Sequence, residues 1–211
     1  MRIALSLGRS AREMQFARQL GLRDVVSALP ANPKGYLELD DLQRARDEFA
    51  SHDLSFDVIE NLPTPHYDKA MFGLPGRDEQ IANVRTTIRN MGKAGISVLQ
   101  YQWMLLGGLR TEYCPVGRGG ARVSRFDWSV ALRSPIAALY WRPGPNGLIH
   151  TPDRALIAEQ VWDNLTYFLR GIIPAAEEAG VKVAAHPDDA ALRGAYAYTR
   201  LGRGVLRVIP E

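Results

Sequence analysis

Residues 78–104 read DEQIANVRTTIRNMGKAGISVLQYQWM, and this stretch decides the fold class. A helix is predicted to begin near Asp78, because apolar residues recur at helical spacing along one side of it: Ile81, Val84, Ile88 and Met91. Gly95 is typical of a helix end, and residues 96–104 are rich in the branched and aromatic side chains of a strand. A helix joined by one glycine to a strand is a unit of an α/β fold.

The same alternation recurs on both sides of this stretch. Further strands are predicted over residues 3–7, 24–29, 55–62 and 181–186. Further helices are predicted over residues 10–20, 40–52 and 154–179.

Several residues are predicted to mark helix ends. Ser10 is the expected cap of the first helix, and Asp40 or Asp41 that of the second. The last helix is expected to follow Thr151, and to bend before Pro174.

Strands that alternate with helices pair in parallel through right-handed crossovers, as a barrel or as a doubly wound sheet. No Gly-x-Gly-x-x-Gly follows the first strand and no Walker motif occurs, which disfavours a nucleotide-binding doubly wound sheet. The predicted fold class is therefore α/β, an incomplete TIM-type (β/α) barrel of about five to six parallel strands with flanking helices. Residues 205–209 are the candidate sixth strand, residues 64–77 a loop, and residues 105–152 a long loop insertion on the active-site side of a single domain, 1–211.

Composition excludes several classes of protein. The net charge is +3, and the arginines that cause the excess are scattered, so no nucleic-acid partner is expected. No apolar run has the length of a membrane span, and the start of the chain does not resemble a signal peptide. One cysteine, Cys114, rules out an internal disulfide and favours a cytoplasmic location.

Active sites of β/α barrels lie at the carboxyl ends of the strands. That rule selects Glu60, Tyr101 and Trp103, each of which has a structural alternative: a surface carboxylate for Glu60 and aromatic core filling for the other two. It also selects His186 as a divalent-metal ligand, with Asp188 and Asp189 orienting it or contacting substrate. The alternative there is a strand-terminal histidine followed by a solvated helix cap.

Two loops carry further candidates. Arg118 and Arg122 flank Gly119 and Gly120, and such a loop either grips a carboxylate or is flexible and charged. His66, in a proline-rich segment, is expected to be exposed.

The most specific run leads from a helix through a strand into Ala-His-Pro-Asp-Asp, over residues 161–169, 173–182 and 185–189. A helix-to-strand run and the arginine loop add residues 87–96, 117–123 and 126–127. In these runs the sequence resembles mannonate dehydratases.

The resemblance implies a barrel of the xylose-isomerase-like group that dehydrates D-mannonate to 2-keto-3-deoxy-D-gluconate in hexuronate breakdown, with Mn²⁺ or Fe²⁺. His186 matches the family's first metal ligand; the later cysteine, histidine and aspartate ligands have no counterpart in this sequence. The other candidates take their roles from their positions at strand ends and in the glycine loop: catalysis for Asp188, Asp189 and Tyr101, and substrate binding for Glu60, Trp103, Arg118 and Arg122.

The sequence supplies fewer strands than the eight of a closed barrel, so the chain is expected to be C-terminally truncated. An open parallel sheet exposes its edges, and a homo-oligomer or a partner that covers the open edge is expected. Two alternatives to a dehydratase remain: a catalytically inactive remnant or sugar-acid-binding module, and a sugar isomerase or epimerase on the same barrel.

Overall fold

Strands and helices follow the predicted alternation in a computed structural model, which describes residues 2–103, 110–131, 133, 156 and 158–186. The strands are β1 (Ala4–Ser6), β2 (Asp24–Ser27), β3 (Ser55–Ile59), β4 (Val98–Gln102), β5 (Glu112–Cys114), β6 (Val123–Arg125) and β7 (Lys182–His186). The helices are α1 (Ala11–Gln19), α2 (Leu39–Ala50), α3 (Asp68–Phe72), α4 (Arg77–Ala94), α5 (Trp128–Ala131) and α6 (Ala158–Ala179). The predicted cap at Thr151 and the candidate strand 205–209 lie outside the described residues.

Five parallel strands form the main sheet, in the order β1-β2-β3-β4-β7. The spatial order equals the chain order and reverses nowhere among the described strands, whereas a doubly wound sheet reverses at a switch point. Within the described residues β1 and β7 are the two edges, and the sheet does not close. The prediction of a parallel α/β sheet of the barrel type, incomplete in this chain, is confirmed.

A β-bulge in β3 changes which side chains face the helices. Val25 of β2 pairs with Phe56, but the next residue, Val26, pairs with Val58, so one residue of β3 is extra. Phe56 is buried against Phe49 of α2, with ring centroids 5.1 Å apart. Strict alternation from Phe56 would turn Val58 toward the helices; the bulge turns Ile59 there instead.

Helix caps agree with the prediction at α1 and differ at α2. The Ser10 hydroxyl accepts a hydrogen bond from the Glu13 backbone N–H, and the Glu13 carboxylate accepts one from the Ser10 N–H, which completes a capping box. At α2 the prediction was wrong, because the cap position is Glu38. Asp40 and Asp41 lie in the first turn instead, where a carboxylate is stabilised by the helix dipole.

Two segments predicted as loops contain regular structure. Residues 64–77 include a 3-10 turn (Thr64–His66) and the short helix α3, which ends at Gly73 in the left-handed conformation, φ +65°. Residues 105–152 include the antiparallel hairpin of β5 and β6 and the single turn α5. These elements of three to five residues are too short for sequence periodicity to detect.

The helices pack on one side of the main sheet around a single apolar core. Within it α4 and α6 lie side by side, and Gly92 permits their close approach, since a Cβ at this position would lie 2.6 Å from the Ala179 carbonyl oxygen. Helix α6 continues past Pro174 to Ala179. No described helix has both the length and the apolar character to cross a membrane.

We expect Gly92→Ala to destabilise the fold although alanine is the better helix former. The added methyl group meets backbone atoms of α6, and such overpacking costs about 1–3 kcal/mol. Urea unfolding measures the effect. Lys93→Ala, at the exposed neighbouring position, is the matched control and should change the free energy of unfolding by less than about 0.5 kcal/mol. A more stable Gly92→Ala protein would contradict the close packing of α4 on α6.

Candidate active site

The two aromatic candidates, Tyr101 on β4 and Trp103 directly after it, face the helices. The ring of Tyr101 lies 5.9 Å from that of Phe168 on α6, and the ring of Trp103 lies 5.1 Å from it. Tyr101 is 5% exposed, and its burial raises the pKa of its hydroxyl. The predicted catalytic role of Tyr101 and substrate-binding role of Trp103 remain predictions, and the contacts of both residues are those of a packed core.

The opposite side of the sheet, here called the concave face, carries polar residues at its carboxyl edge. Gln102 lies between Tyr101 and Trp103, whose side chains face the helices. Because side chains alternate along a strand, that of Gln102 points to the concave face. His186 of β7 is the register partner of Gln102 and therefore points the same way. His186 is predicted from the sequence and Gln102 is not, because the aromatic residues Tyr101 and Trp103 are the side chains expected to face the site.

Glu60 also reaches the concave face. Its backbone N–H donates a hydrogen bond to the Ser27 carbonyl oxygen, 2.9 Å away, which continues the pairing of β3 with β2. Its carboxylate accepts a hydrogen bond from the Ser6 hydroxyl of β1. Ser6 is on the concave face because the preceding Leu5 packs into the core. The bulge in β3 explains this position, since without the extra residue Glu60 would point at the helices.

The residue after Glu60 adopts an uncommon backbone conformation. Asn61 has φ +61°, in the left-handed region, which asparagine tolerates better than most residues. The next residue, Leu62, donates its N–H to the Gln100 carbonyl oxygen at 2.7 Å. Across Asn61 the chain therefore passes from pairing with β2 to pairing with β4, and this sharp step fixes Glu60 at the edge of the sheet.

A buried tyrosine holds the end of β4. The Tyr67 hydroxyl donates to the Gln102 carbonyl oxygen at 2.5 Å and accepts from the Gln102 N–H at 3.3 Å. The hydroxyl takes the position from which a neighbouring strand would pair with Gln102, because the pairing of the β3 segment with β4 ends at Gln100. Tyr67 is fully buried, which raises the pKa of its hydroxyl, and its ring stacks on Trp103.

His66 lies under the same edge and is buried, so the prediction of an exposed loop histidine was wrong. It is 2% exposed, and its Nε2 lies 3.1 Å from both the backbone nitrogen and the backbone oxygen of Asn32. Desolvation lowers the pKa of the ring, while the Asn32 hydrogen bond and the nearby Asp68 carboxylate oppose that shift. His66 therefore joins the loop after β2 to the loop after β3 as a neutral side chain.

The arginine candidates lie on the hairpin rather than at the edge of the main sheet. The Arg122 guanidinium donates to the Tyr113 carbonyl oxygen at 2.9 Å within the hairpin. Arg118 lies in the exposed turn between β5 and β6. Neither forms a hydrogen bond or ion pair with Glu60 or His186 in the described contacts, and their roles remain predictions.

The described residues do not complete a metal site. His186 is a suitable ligand at the carboxyl edge, but no three histidine, cysteine, aspartate or glutamate side chains within the described ranges are grouped so as to hold an ion. Asp188 and Asp189 lie outside those ranges, so their predicted roles are not tested by the structure.

A chain-ordered parallel sheet, a helix layer on one side and polar groups at the carboxyl edge define part of a (β/α)-barrel protein. The D-mannonate dehydratase family model matches residues 5–140 and 150–199, and the chain belongs to that family.

Individual relatives agree with this assignment. A mannonate dehydratase from Streptococcus pneumoniae (strain 70585) is 32% identical over 181 residues, which cover 80% of this chain and 49% of the relative. One from Endomicrobium trichonymphae is 28% identical over 196 residues, covering 83% of this chain and 53% of the relative. The crystal structure of mannonate dehydratase from Streptococcus suis serotype 2 superposes with a TM-score of 0.74 at 27% identity, over 90% of this chain and 54% of that one. The chain thus spans about half the length of the relatives it matches.

We expect the folded state to lose stability as the pH falls below the ordinary pKa of histidine, about 6.5. The pKa of His66 is lowered in the folded protein, so the unfolded chain takes up a proton first and is favoured by acid. Urea unfolding at pH 7.5 and pH 5.5 measures the loss. The His66→Gln variant should show a smaller loss, whereas the control His52→Gln, at the end of α2, should behave as the wild type. Equal losses in all three proteins would contradict a neutral buried His66.

Proposed function

We propose that the chain provides part of the active site of a mannonate dehydratase, which removes water from D-mannonate to give 2-keto-3-deoxy-D-gluconate. The observation that carries the proposal is the position of His186. It ends β7 within the family-matched residues, beside Gln102 and on the face that also carries Glu60. This is the edge at which barrel enzymes bind their substrates.

The reaction breaks one C–H and one C–O bond. The proton next to the substrate carboxylate leaves to a base, the hydroxyl of the neighbouring carbon leaves as water with a proton from an acid, and the resulting enol becomes the ketone. A bound divalent cation, Mn²⁺ or Fe²⁺ in our proposal, would supply stabilisation of the negative charge that develops on the carboxylate. His186 would be one of its ligands, and the described residues do not supply a complete set.

Roles for the other residues follow from charge and position. Glu60 would bind a hydroxyl group of the substrate rather than its carboxylate, since two carboxylates repel each other. Arg118 and Arg122 would bind the substrate carboxylate, provided that the hairpin lies over the carboxyl edge of the main sheet when substrate is bound. Asp188 and Asp189 follow His186 in the chain and are the candidates for proton transfer.

The edge at β1 favours a further protein surface as partner. Large apolar side chains in or next to β1 and α1 are exposed: Ile3 at 65%, Phe16 at 51% and Leu20 at 53%. Together with the unpaired backbone of an edge strand, they form a surface that water solvates poorly. We propose that a second copy of the chain or another polypeptide covers it, in the cytoplasm.

One observation favours a second candidate function. Because the described residues lack a complete ligand set, a chain that binds sugar acids without dehydrating them is the alternative. A sugar isomerase or epimerase is disfavoured by membership of the dehydratase family.

The first test is turnover by the purified 211-residue chain, alone and with a co-expressed carboxyl-terminal half of a relative, supplied with Mn²⁺ and D-mannonate, with 2-keto-3-deoxy-D-gluconate detected directly. We expect product, and we expect His186→Ala to abolish it, because the variant lacks the proposed metal ligand. His52→Ala removes a histidine far from the edge and should leave turnover unchanged. Absence of product and of bound metal in the wild type would leave the binding function; full activity of His186→Ala would overturn the role of that residue.

The second test concerns the β1 edge. Light scattering after size-exclusion chromatography should give a mass above that of one chain, and Phe16→Asp should reduce it to one chain, because a charge in a buried apolar interface is costly. Trp162→Asp places the same charge at a residue of α6 that is 67% exposed and is the matched control. A wild-type chain that stays monomeric, alone and with a co-expressed carboxyl-terminal half of a relative, would refute the proposed partner.

A further inference from the structure

Gln102 is placed to contact a ligand at the carboxyl edge. It is the last residue of β4, its register partner is His186, and neighbouring strands lie about 4.8 Å apart. Its side chain is half-buried, on the concave face. A molecule bound against His186 therefore lies within reach of the Gln102 carboxamide.

Within the described part of the chain, the Gln102 carboxamide is not engaged by other residues. No described residue forms a hydrogen bond with the Gln102 side chain, although both backbone groups of the same residue are bonded to Tyr67. Because the Tyr67 hydroxyl fixes the backbone of Gln102, a bound ligand would have to order only its side chain. The cost of ordering one side chain on binding is small, about 0.5–1.5 kcal/mol.

The chemistry of the group defines the ligand. A carboxamide has two N–H donors and an acceptor oxygen, and it carries no charge. It matches a hydroxyl group, which both donates and accepts, and it does not repel a nearby carboxylate. On the same face the Glu60 carboxylate, held by Ser6, is a further acceptor for a hydroxyl.

We propose that Gln102 binds a hydroxyl group of a polyhydroxy acid and thereby determines the specificity of this site. The proposal rests on the proposed function in naming the substrate class. Gln100 has the same side chain and lies on the same face of β4, but it is one layer further from the edge and its register partner is Ala184. It is therefore the internal control.

The experiment is calorimetric titration of D-mannonate into the purified 211-residue chain in the presence of Mn²⁺. Gln102→Met keeps the length of the side chain and removes its hydrogen-bonding groups, and Gln100→Met is the control. We expect Gln102→Met to weaken binding about tenfold and Gln100→Met to leave it within about twofold, since one or two neutral hydrogen bonds are lost at the first site alone. Near-UV circular dichroism checks the fold, and Gln102→Glu, which keeps the size and the acceptor, is the second variant should Gln102→Met not fold.

The outcomes separate the two proposals. Equal affinity of the wild type and Gln102→Met, or equal weakening by both methionine variants, overturns the role of Gln102 and leaves the dehydratase proposal standing. Binding that depends on Gln102 without formation of 2-keto-3-deoxy-D-gluconate supports Gln102 and refutes the dehydratase. A wild-type chain that does not bind D-mannonate refutes both.

Discussion

Parallel pairing of the strands in chain order is the constraint on which the other features of this structure depend. Each crossover must carry the chain back along the sheet, and right-handed crossovers place all the helices on one side. The apolar core then forms between helices and sheet, and the other face is left for polar groups. Because all the strands point the same way, their carboxyl ends collect at one edge, where Glu60, Gln102 and His186 are found.

The loops at this edge are fixed by buried polar contacts. Thr87 and Asn90 of α4 bond the backbone N–H and carbonyl oxygen of Leu37, and so hold the loop after β2. His66 bonds the backbone of Asn32 in the same loop. A loop held at backbone groups presents its side chains at defined positions with little loss of entropy on binding.

The sequence predicted the elements better than it predicted which way their side chains point. The main strands and long helices are visible because apolar periodicity and glycine ends persist over many residues, as in residues 78–104. The sequence does not show which face of the sheet Tyr101 and Trp103 point to, since aromatic side chains are plausible on either face. The contact with Phe168, distant in the sequence, decides it. His66 was missed for a similar reason, as its burial depends on Asn32 in another loop.

The bulge in β3 has a consequence for how this sequence is compared with others. One extra residue between Phe56 and Ile59 exchanges the two faces of the strand for all that follows, while the strand keeps its place in the sheet. An alignment with a protein that lacks the extra residue would equate Glu60 with a core residue if its gap were placed after Glu60 rather than before it. The number of residues between Phe56 and Glu60 thus determines which face Glu60 points to, independently of their identity. The residue that an alignment assigns to Glu60 in a relative depends on where the gap is placed.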